Sequence, residues 1–264
     1  MATTPTPGHR PLGHRPVPTD LIAPDATPLD LFALCWFAGL WGVYTLIQDQ
    51  VLRGRRGINQ HLVVIRRHWI DRMLERDNRI MDSQLVGHTM SSATFFASTT
   101  MLILAGLIGS FGAIDTAHEI ISHLSIMAKT SRDFFEVKMA LLVAIFIYIF
   151  FKFTWSLRQF NYTIALIGSA PMPPVEGEIR RVTSETISGS LTLAILAFNG
   201  GLRGYYFALA ALAWMIGPVA LILATAGVLV VLVRRQGFSR SERLISRQTD
   251  LLEELPKPWG PDGR

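Results

Sequence analysis

The closest approach to a metal-binding motif in this chain is the run HEIISH at residues 118–123. Metalloproteases of the zincin type carry two histidines four residues apart on a helix, so that both imidazoles face one zinc ion. Here His118 and His123 are five residues apart, and at about 100° per residue their rings point roughly 140° away from each other. We therefore predict no metal site and no catalytic residue in this run.

Other patterns of catalytic residues are also missing from the sequence. The single cysteine, Cys35, excludes an intramolecular disulfide and a cysteine-based metal cluster. There is no nucleophile elbow, and no apolar run carries a pair of Asp or His residues in its middle. We expect the protein not to be an enzyme and to use no cofactor.

Polar side chains near the apolar runs are the better candidates for binding, as contacts to a lipid phosphate or to a protein partner. Eight are predicted to serve in this way: Arg76, Asp77, Arg79, Asp82, Lys152, Arg158, Asn161 and Arg203. Lys152 lies near the cytoplasmic end of the apolar run at 137–155, so its stem can lie among apolar neighbours while its ammonium reaches the headgroups. Simple anchoring at the interface is the alternative for Lys152.

Arg203 lies in the glycine-rich stretch at residues 199–206. Three glycines permit positive φ there, and we interpret the stretch as a tight outer turn between the last two spans. On that side we expect Arg203 to pair with Asp115, Glu119 or Asp133, or to hold a lipid phosphate. A structural role in the turn is the alternative.

Long apolar runs must position these side chains. Half of the 264 residues are hydrophobic and only 17% are charged, and the hydrophobic residues cluster in runs long enough to cross a bilayer. The predicted spans are 29–47, 94–114, 137–155, 187–202 and 205–233. Serine and threonine dilute 187–202, so four spans are the alternative. We expect Gly217-Pro218 to kink the last span, which is too long for a straight crossing.

The distribution of Lys and Arg favours five spans. Five crossings place nineteen of these residues on one side and six on the other, whereas four crossings give twelve and thirteen. Basic residues gather on the cytoplasmic side of membrane proteins. We therefore predict an outer N-terminus and a cytoplasmic C-terminus.

The parts outside the spans are polar. Residues 1–28 are predicted to be a disordered Pro-rich tail, 29–235 the membrane domain and 236–264 a charged cytoplasmic tail. Residues 59–87 show an apolar stripe with charges around it, which predicts one long amphipathic cytoplasmic helix. That helix docks a partner or lipid headgroups, or alternatively packs on the ends of its own spans.

Three strings together resemble a known family. They are RRHWIDRMLERDNRIMDSQLVGHTMSSATFFASTT, FFKFTWSLRQFNYTIALIGSAP and FNGGLRGYYFALAALAWMIGP. They are similar to domain-of-unknown-function family 599, a family of bacterial and plant membrane proteins, over about residues 30–235. The resemblance implies a multi-helix membrane domain and implies no reaction, ligand or catalytic residue.

The predicted fold class is therefore all-α, a polytopic transmembrane helix bundle. We expect a non-enzymatic interaction or accessory protein of a membrane complex, placed in a bacterial cytoplasmic (inner) membrane. The alternative is a transporter or channel for ions or small solutes that acts as an oligomer. Expected partners are the lipid bilayer and other membrane subunits or further copies of the chain. Nucleic acid is not expected, because cytoplasmic flanks explain the net charge of +5.

Overall fold

The computed structural model describes residues 26–48, 58–122, 130–237 and 240–254, and the described residues form helices without any strand. The α-helices are α1 (Pro28–Leu46), α2 (Ile58–Met73), α3 (Ile80–Phe111), α4 (Ile114–Ser122), α5 (Arg132–Ser169), α6 (Gly177–Leu212), α7 (Pro218–Gly237) and α8 (Arg240–Glu254). Most of the predicted tail at 1–28 lies outside the described residues. The predicted tail at 236–264 contains α8, which packs on α2.

Local sequence signals explain where the long helices begin. Thr27 caps α1 by accepting a hydrogen bond from the backbone N–H of Asp30, whose carboxylate accepts one in return from the N–H of Thr27. Ser131 caps α5 through its hydroxyl oxygen. Pro28 is the first residue of α1, where its missing N–H costs no hydrogen bond.

Four helices are long and apolar enough to cross a membrane: residues 28–46, 80–111, 132–169 and 218–235. Large apolar side chains also face outward from them, such as Phe95, Leu102 and Leu223, each at least 66% exposed. Such surfaces are stable in a bilayer, where outward apolar groups meet lipid tails. These features indicate an integral membrane protein, and the predicted spans 29–47, 94–114 and 137–155 fall on α1, α3 and α5.

The centre of the bundle is the antiparallel pair α5 and α6, joined by close contact and hydrogen bonds along its length. Ser156 Oγ donates to the carbonyl oxygen of Ala194 at 2.8 Å, and the hydroxyls of Thr163 and Ser190 lie 2.9 Å apart. A Cβ at Gly201 would lie 2.6 Å from the Phe153 ring. The missing side chain thus lets the two backbones approach.

The predicted turn at residues 199–206 is wrong. These residues lie inside α6, which continues unbroken to Leu212. Glycine permits both a turn and a close helix contact, and the facing side chains of α5 select the second. The chain reverses instead after a 3₁₀ turn at Ala213–Met215, where Gly217 has a φ of 154° and Pro218 begins α7. The predicted span 205–233 is therefore divided between α6 and α7.

The single predicted helix at 59–87 is also wrong. It is two helices, because α2 ends at Met73 and α3 begins at Ile80. Asn78 marks the restart, since its side-chain oxygen accepts from the N–H of Ile80 at 2.9 Å. The reversal lets α2 lie on α6 and α8 while α3 turns away to pack on α5.

The bundle has two ends, which we name by their short helices. The α2 end holds α2 and α8, the start of α3, the end of α5 and the start of α6. The α4 end holds α4, the starts of α1 and α5 and the end of α6. There Trp214 donates from its indole nitrogen to Asp30 at 2.9 Å.

Candidate functional site

A cleft of about 770 Å³ opens at the α2 end between α2, α5 and α6. We call it the basic cleft. Its polar lining residues are Gln48, Asn59, Gln60, Arg66, Arg67, Lys152, Gln159, Glu185, Ser188 and Thr192. Three of these side chains are cationic and one is anionic, so the cleft carries an excess of positive charge.

Helical spacing brings these residues to one place. Lys152, Trp155 and Gln159 follow each other at intervals of three and four on α5, so they share one face of that helix. Ser188 and Thr192 are four apart on the facing side of α6. Helix α2 closes the third side with Arg66 and its neighbours.

Arg66 is the most unusual residue of the cleft. Its side chain is nearly enclosed, with 7% of the residue exposed, and its Nε donates to Thr192 Oγ1 at 3.1 Å. Among the described residues no carboxylate pairs with it. Burial lowers the pKa of Arg66 to about 10, which leaves the guanidinium charged at neutral pH. A buried cation without an anionic partner is costly in a protein.

Lys152 is a second cation of the cleft for which the described residues supply no carboxylate partner. Its Nζ lies 5.5 Å from the centre of the Tyr148 ring. Its stem passes Gly200, where a Cβ would lie 3.4 Å from Lys152 Cδ and 3.7 Å from Arg203 Nη2. The cations of α5 and α6 therefore lie close together inside the bundle.

The mouth of the cleft is held by an ion pair between α2 and α6. Arg67 Nη2 lies 2.6 Å from Glu185 Oε1, and both side chains are partly exposed. Arg181 also reaches Glu185 from one turn earlier on α6, at 3.3 Å. Glu185 is thus shared by two arginines of the surface and does not neutralise Arg66.

A buried clamp behind the cleft fixes α2 to α6. Arg180 binds Asp71 through two hydrogen bonds of 2.7 and 2.9 Å, and it reaches Glu75 at 2.7 Å. Bidentate arginine–carboxylate pairs are strong and directional. The hydrogen bond from Arg180 is the main reason that the pKa of the Glu75 carboxyl is lowered. The clamp fixes α2, and with it Arg66, over α6.

Four of the predicted site residues lie in the link between α2 and α3 or in the first turn of α3. The fully buried Asp82 accepts from Arg76 at 2.6 Å and from the indole nitrogen of Trp69 at 2.7 Å. Arg79 donates to the carbonyl oxygens of Ala170 and Pro171. Asp77 is exposed. Three of the four therefore hold the protein's own helices together.

Of the other four predicted residues, the structure brings Lys152 and Arg203 together and leaves Arg158 and Asn161 apart from them. Lys152 lines the basic cleft. Arg158 and Asn161 are exposed on other faces of α5, and Arg158 donates to the Tyr162 hydroxyl at 2.6 Å. Arg203 is buried beside Lys152 in the part of α6 where the turn was predicted, and Asp115, one of its expected partners, contacts Arg132 at 3.0 Å instead.

Sequence reasoning missed Arg66, although a signal was present. Arg66 lies four residues after Leu62 and three before Trp69, so it falls on the apolar stripe of its helix. A cation on such a stripe must be buried or must interrupt the packing. The clamp formed by Arg180 and Asp71 had no comparable local signal.

A second buried charge pair was also missed at the α4 end. Lys138 is almost fully enclosed on α5, and its Nζ lies 4.6 Å from the Phe134 ring and 5.6 Å from the Trp214 ring. Asp30 lies nearby on α1 and accepts from Trp214. The available signal was that both charges occur at the edges of apolar runs.

The described residues contain no group of three or more His, Cys, Asp or Glu side chains arranged to hold a metal ion. The Nε2 of His118 lies 2.8 Å from the carbonyl oxygen of Thr130. His123, the other histidine of the run, lies outside the described residues. The prediction that the two rings diverge therefore stays a prediction.

Comparison with known proteins gives one match. A family model described as "Protein of unknown function, DUF599" matches residues 32–241. No curated protein matches the chain, and neither does any solved structure. The family match confirms the resemblance carried by the three sequence strings.

Proposed function

We propose that this chain, which belongs to the DUF599 family, is a non-enzymatic membrane protein that binds an anionic ligand in the basic cleft. In this role it is an interaction or accessory protein of a membrane complex in a bacterial cytoplasmic membrane. The observation that carries the proposal is Arg66, a buried guanidinium without a carboxylate partner in the described part of the chain. A bound anion would supply the counter-charge that the described residues do not provide.

We propose that the cleft faces the cytoplasm and that the chain crosses the membrane five times. Helix α6 supports this because it runs antiparallel along α5. The contact extends from the hydrogen bond of Ser156 with Ala194 to the packing of Phe134 against Trp214, in the 3₁₀ turn just after α6. A helix packed along a spanning helix crosses with it. With five crossings, the arginine-rich α2 end also lies on the same side of the membrane as most of the other Lys and Arg residues. Basic residues gather on the cytoplasmic side of membrane proteins.

The α2 end also supports an interaction role. Helices α2 and α8 pack on each other, and Thr249 Oγ1 approaches the carbonyl oxygen of His61 at 3.4 Å. The exposed face of α8 carries charges such as Arg243 and Arg247. A folded polar cap on a membrane bundle is a surface for another subunit, whose docking can depend on the occupied cleft below.

An anion transporter is the second candidate, favoured by one observation. Lys152 and Arg203 meet at Gly200 inside the bundle, beyond the cleft. Charges within a membrane bundle mark substrate pathways as well as binding sites. Uptake of labelled phosphate into proteoliposomes, abolished by Lys152→Gln, would favour transport over an accessory role.

Ligand stabilisation tests the proposed anion binding. Protein purified in dodecyl maltoside is heated with a panel of inorganic phosphate, phosphatidylglycerol and phosphatidylcholine, and unfolding is followed by tryptophan fluorescence. A ligand at a hundredfold excess over its Kd stabilises the folded state by about 2.7 kcal/mol. We expect an anionic member of the panel to raise the Tm of the wild type and to lose this effect with Arg66→Gln.

Arg243→Gln is the matched control. It removes one positive charge from exposed α8 at the same end of the molecule, outside the cleft. The control variant should respond to ligand like the wild type. Equal loss of the response in both variants would mean that general surface charge, rather than the cleft, attracts the anion. No response to any anion would refute the proposed function.

A further inference from the structure

We infer that the ligand of the basic cleft is the phosphate group of an anionic membrane lipid, with a part of its acyl chain against the apolar side of the cleft. This inference rests on the proposed anion binding. The chemistry of the site specifies a phosphate ester, and the shape of the site selects its source: a lipid of the bilayer rather than a phosphate dissolved in water.

The donor set fits an anion with several oxygens. Nε of Arg66 is used by Thr192, which leaves the two terminal guanidinium nitrogens for a ligand. An arginine fork matches two oxygens of one phosphate, and an ammonium such as that of Lys152 adds a point charge. The amide of Gln159 brings a neutral donor to the same cleft. A chloride or a single carboxylate would leave much of this set unused.

The other side of the cleft is apolar. Trp155 on α5 and Leu193 on α6 line it and remain about half exposed, and Leu196 continues this side along α6. A water-soluble anion would gain nothing from these groups. An acyl chain that covers them removes apolar surface from any water in the cleft, which is favourable.

The depth of the site agrees with a headgroup. Trp155 has the amphipathic ring that is enriched where hydrocarbon meets the polar region. Lys152 lies one turn nearer the bundle centre, from which its ammonium can extend outward. Phosphates of the cytoplasmic leaflet lie at this level, and their negative surface potential favours a site with excess positive charge.

The volume of the cleft also exceeds the needs of a bare phosphate. About 770 Å³ lies within the range of sites for ligands of several hundred daltons. A glycerophosphate headgroup with the first carbons of a chain fills such a space, and a lone phosphate would leave most of it to water.

Native mass spectrometry of the full chain, released from dodecyl maltoside, tests the inference. Protein stripped of lipid is titrated with phosphatidylglycerol, with phosphatidylcholine, and with phosphatidylglycerol in competition with inorganic phosphate or glycerol phosphate. We expect one phosphatidylglycerol to bind in preference to phosphatidylcholine and to resist millimolar inorganic phosphate. Arg66→Gln should weaken this binding by about tenfold to a hundredfold, as for loss of a hydrogen bond to a charged group.

A second variant distinguishes a loss of lipid binding from a loss of folding. Gly189 lines the cleft on α6, and a Cβ there would meet nothing within 4 Å. Gly189→Phe therefore fills the cleft without removing a contact of the protein. It should block phosphatidylglycerol while leaving the Tm of the lipid-free protein unchanged or higher. Arg243→Gln should bind phosphatidylglycerol like the wild type.

The possible results separate the two proposals. Equal displacement by inorganic phosphate or glycerol phosphate would overturn the lipid source and leave the anion site in place. Equal binding of phosphatidylcholine, or phosphatidylglycerol binding that survives Gly189→Phe, would overturn the inference. Failure of every anion to bind would refute the proposed function as well.

Discussion

Replacing Gly201 by alanine is the sharpest test of how the bundle is assembled. The residue lies inside α6, where the backbone of this helix packs directly against a ring of α5. A Cβ added at Gly201 would lie 2.6, 2.7 and 2.9 Å from three atoms of the Phe153 ring. Carbon atoms in contact prefer separations of about 3.5–4.0 Å. The methyl group thus falls about 1 Å too close to the ring.

The ring cannot easily move away. Phe153 is fully buried and packs against Phe96, Phe198 and Tyr205, with ring centres 5.5–5.9 Å apart. Overpacking of a filled core costs about 1–3 kcal/mol. Alanine is a better helix former than glycine by about 1 kcal/mol, which offsets a part of this cost. The net effect of Gly201→Ala is a loss of up to about 2 kcal/mol.

Gly189→Ala is the matched control because it makes the same change in the same helix. A Cβ at Gly189 meets nothing within 4 Å, so this variant keeps the gain in helix propensity without the clash. We expect Gly201→Ala to be less stable than Gly189→Ala by about 1–3 kcal/mol. Unfolding by sodium dodecyl sulfate in mixed micelles, followed by circular dichroism, measures the difference.

The comparison can refute the packing argument directly. If the two variants are equally stable, the backbone of α6 does not approach α5 at Gly201. If residues 199–206 formed a turn instead, Gly201→Ala would be destabilising only if Gly201 had a positive φ, and not through a clash with Phe153. A coupling between Gly201→Ala and Phe153→Leu in a double-mutant cycle would confirm that these two side chains compete for one space.

Three further predictions concern the clamp and the topology. Arg180→Ala should destabilise the protein by about 3–5 kcal/mol in the same unfolding assay, because it leaves the carboxylate of Asp71 buried without its partner. A loss below about 1 kcal/mol would contradict the view that this ion pair holds α2 on α6. The pKa of Glu75 is lower in the folded state than its ordinary value of 4.5, so the carboxylate stabilises the fold above that value and loses this effect as the pH falls through the lowered pKa. Glu75→Gln should therefore flatten the acid side of the plot of stability against pH. An unchanged plot would refute the stabilising hydrogen bond between Glu75 and Arg180. Single cysteines at positions 10 and 260 of a cysteine-free chain should react with an impermeant reagent from opposite sides of the membrane, whereas labelling from one side would exclude five crossings.

The helices of this protein were largely predictable because their signals are local. The run at 29–47 differs from α1 by one residue at each end, since a capping threonine and an apolar stretch lie next to each other in the sequence. The runs at 94–114 and 137–155 cover the apolar parts of α3 and α5. Helix α3 begins well before its run and ends three residues short of the run's end, and α5 extends beyond its run at both ends. Hydropathy reports where lipid lies and not where a helix ends.

The candidate site was much less predictable. Lys152 was identified because a lysine beside an apolar run is visible in the sequence. Arg66 was not: its place on an apolar stripe is visible in the sequence, but Thr192 of α6, the helix that encloses it, lies 126 positions away in the chain. Asp82 was identified as a contact for lipid or a partner, and in the structure it binds Trp69 and Arg76 of its own chain.

By itself, the sequence determined the membrane environment, the helical class and the family, because these depend on composition, on runs of neighbouring residues and on strings that can be compared. Tertiary structure decided the meaning of the glycines at 200, 201 and 204 and of the buried charges. Glycine allows a turn and a close helix contact equally, and a charge can face water or a partner. Which of these occurs depends on the surfaces that distant segments bring to the residue, and only the packed bundle supplies them.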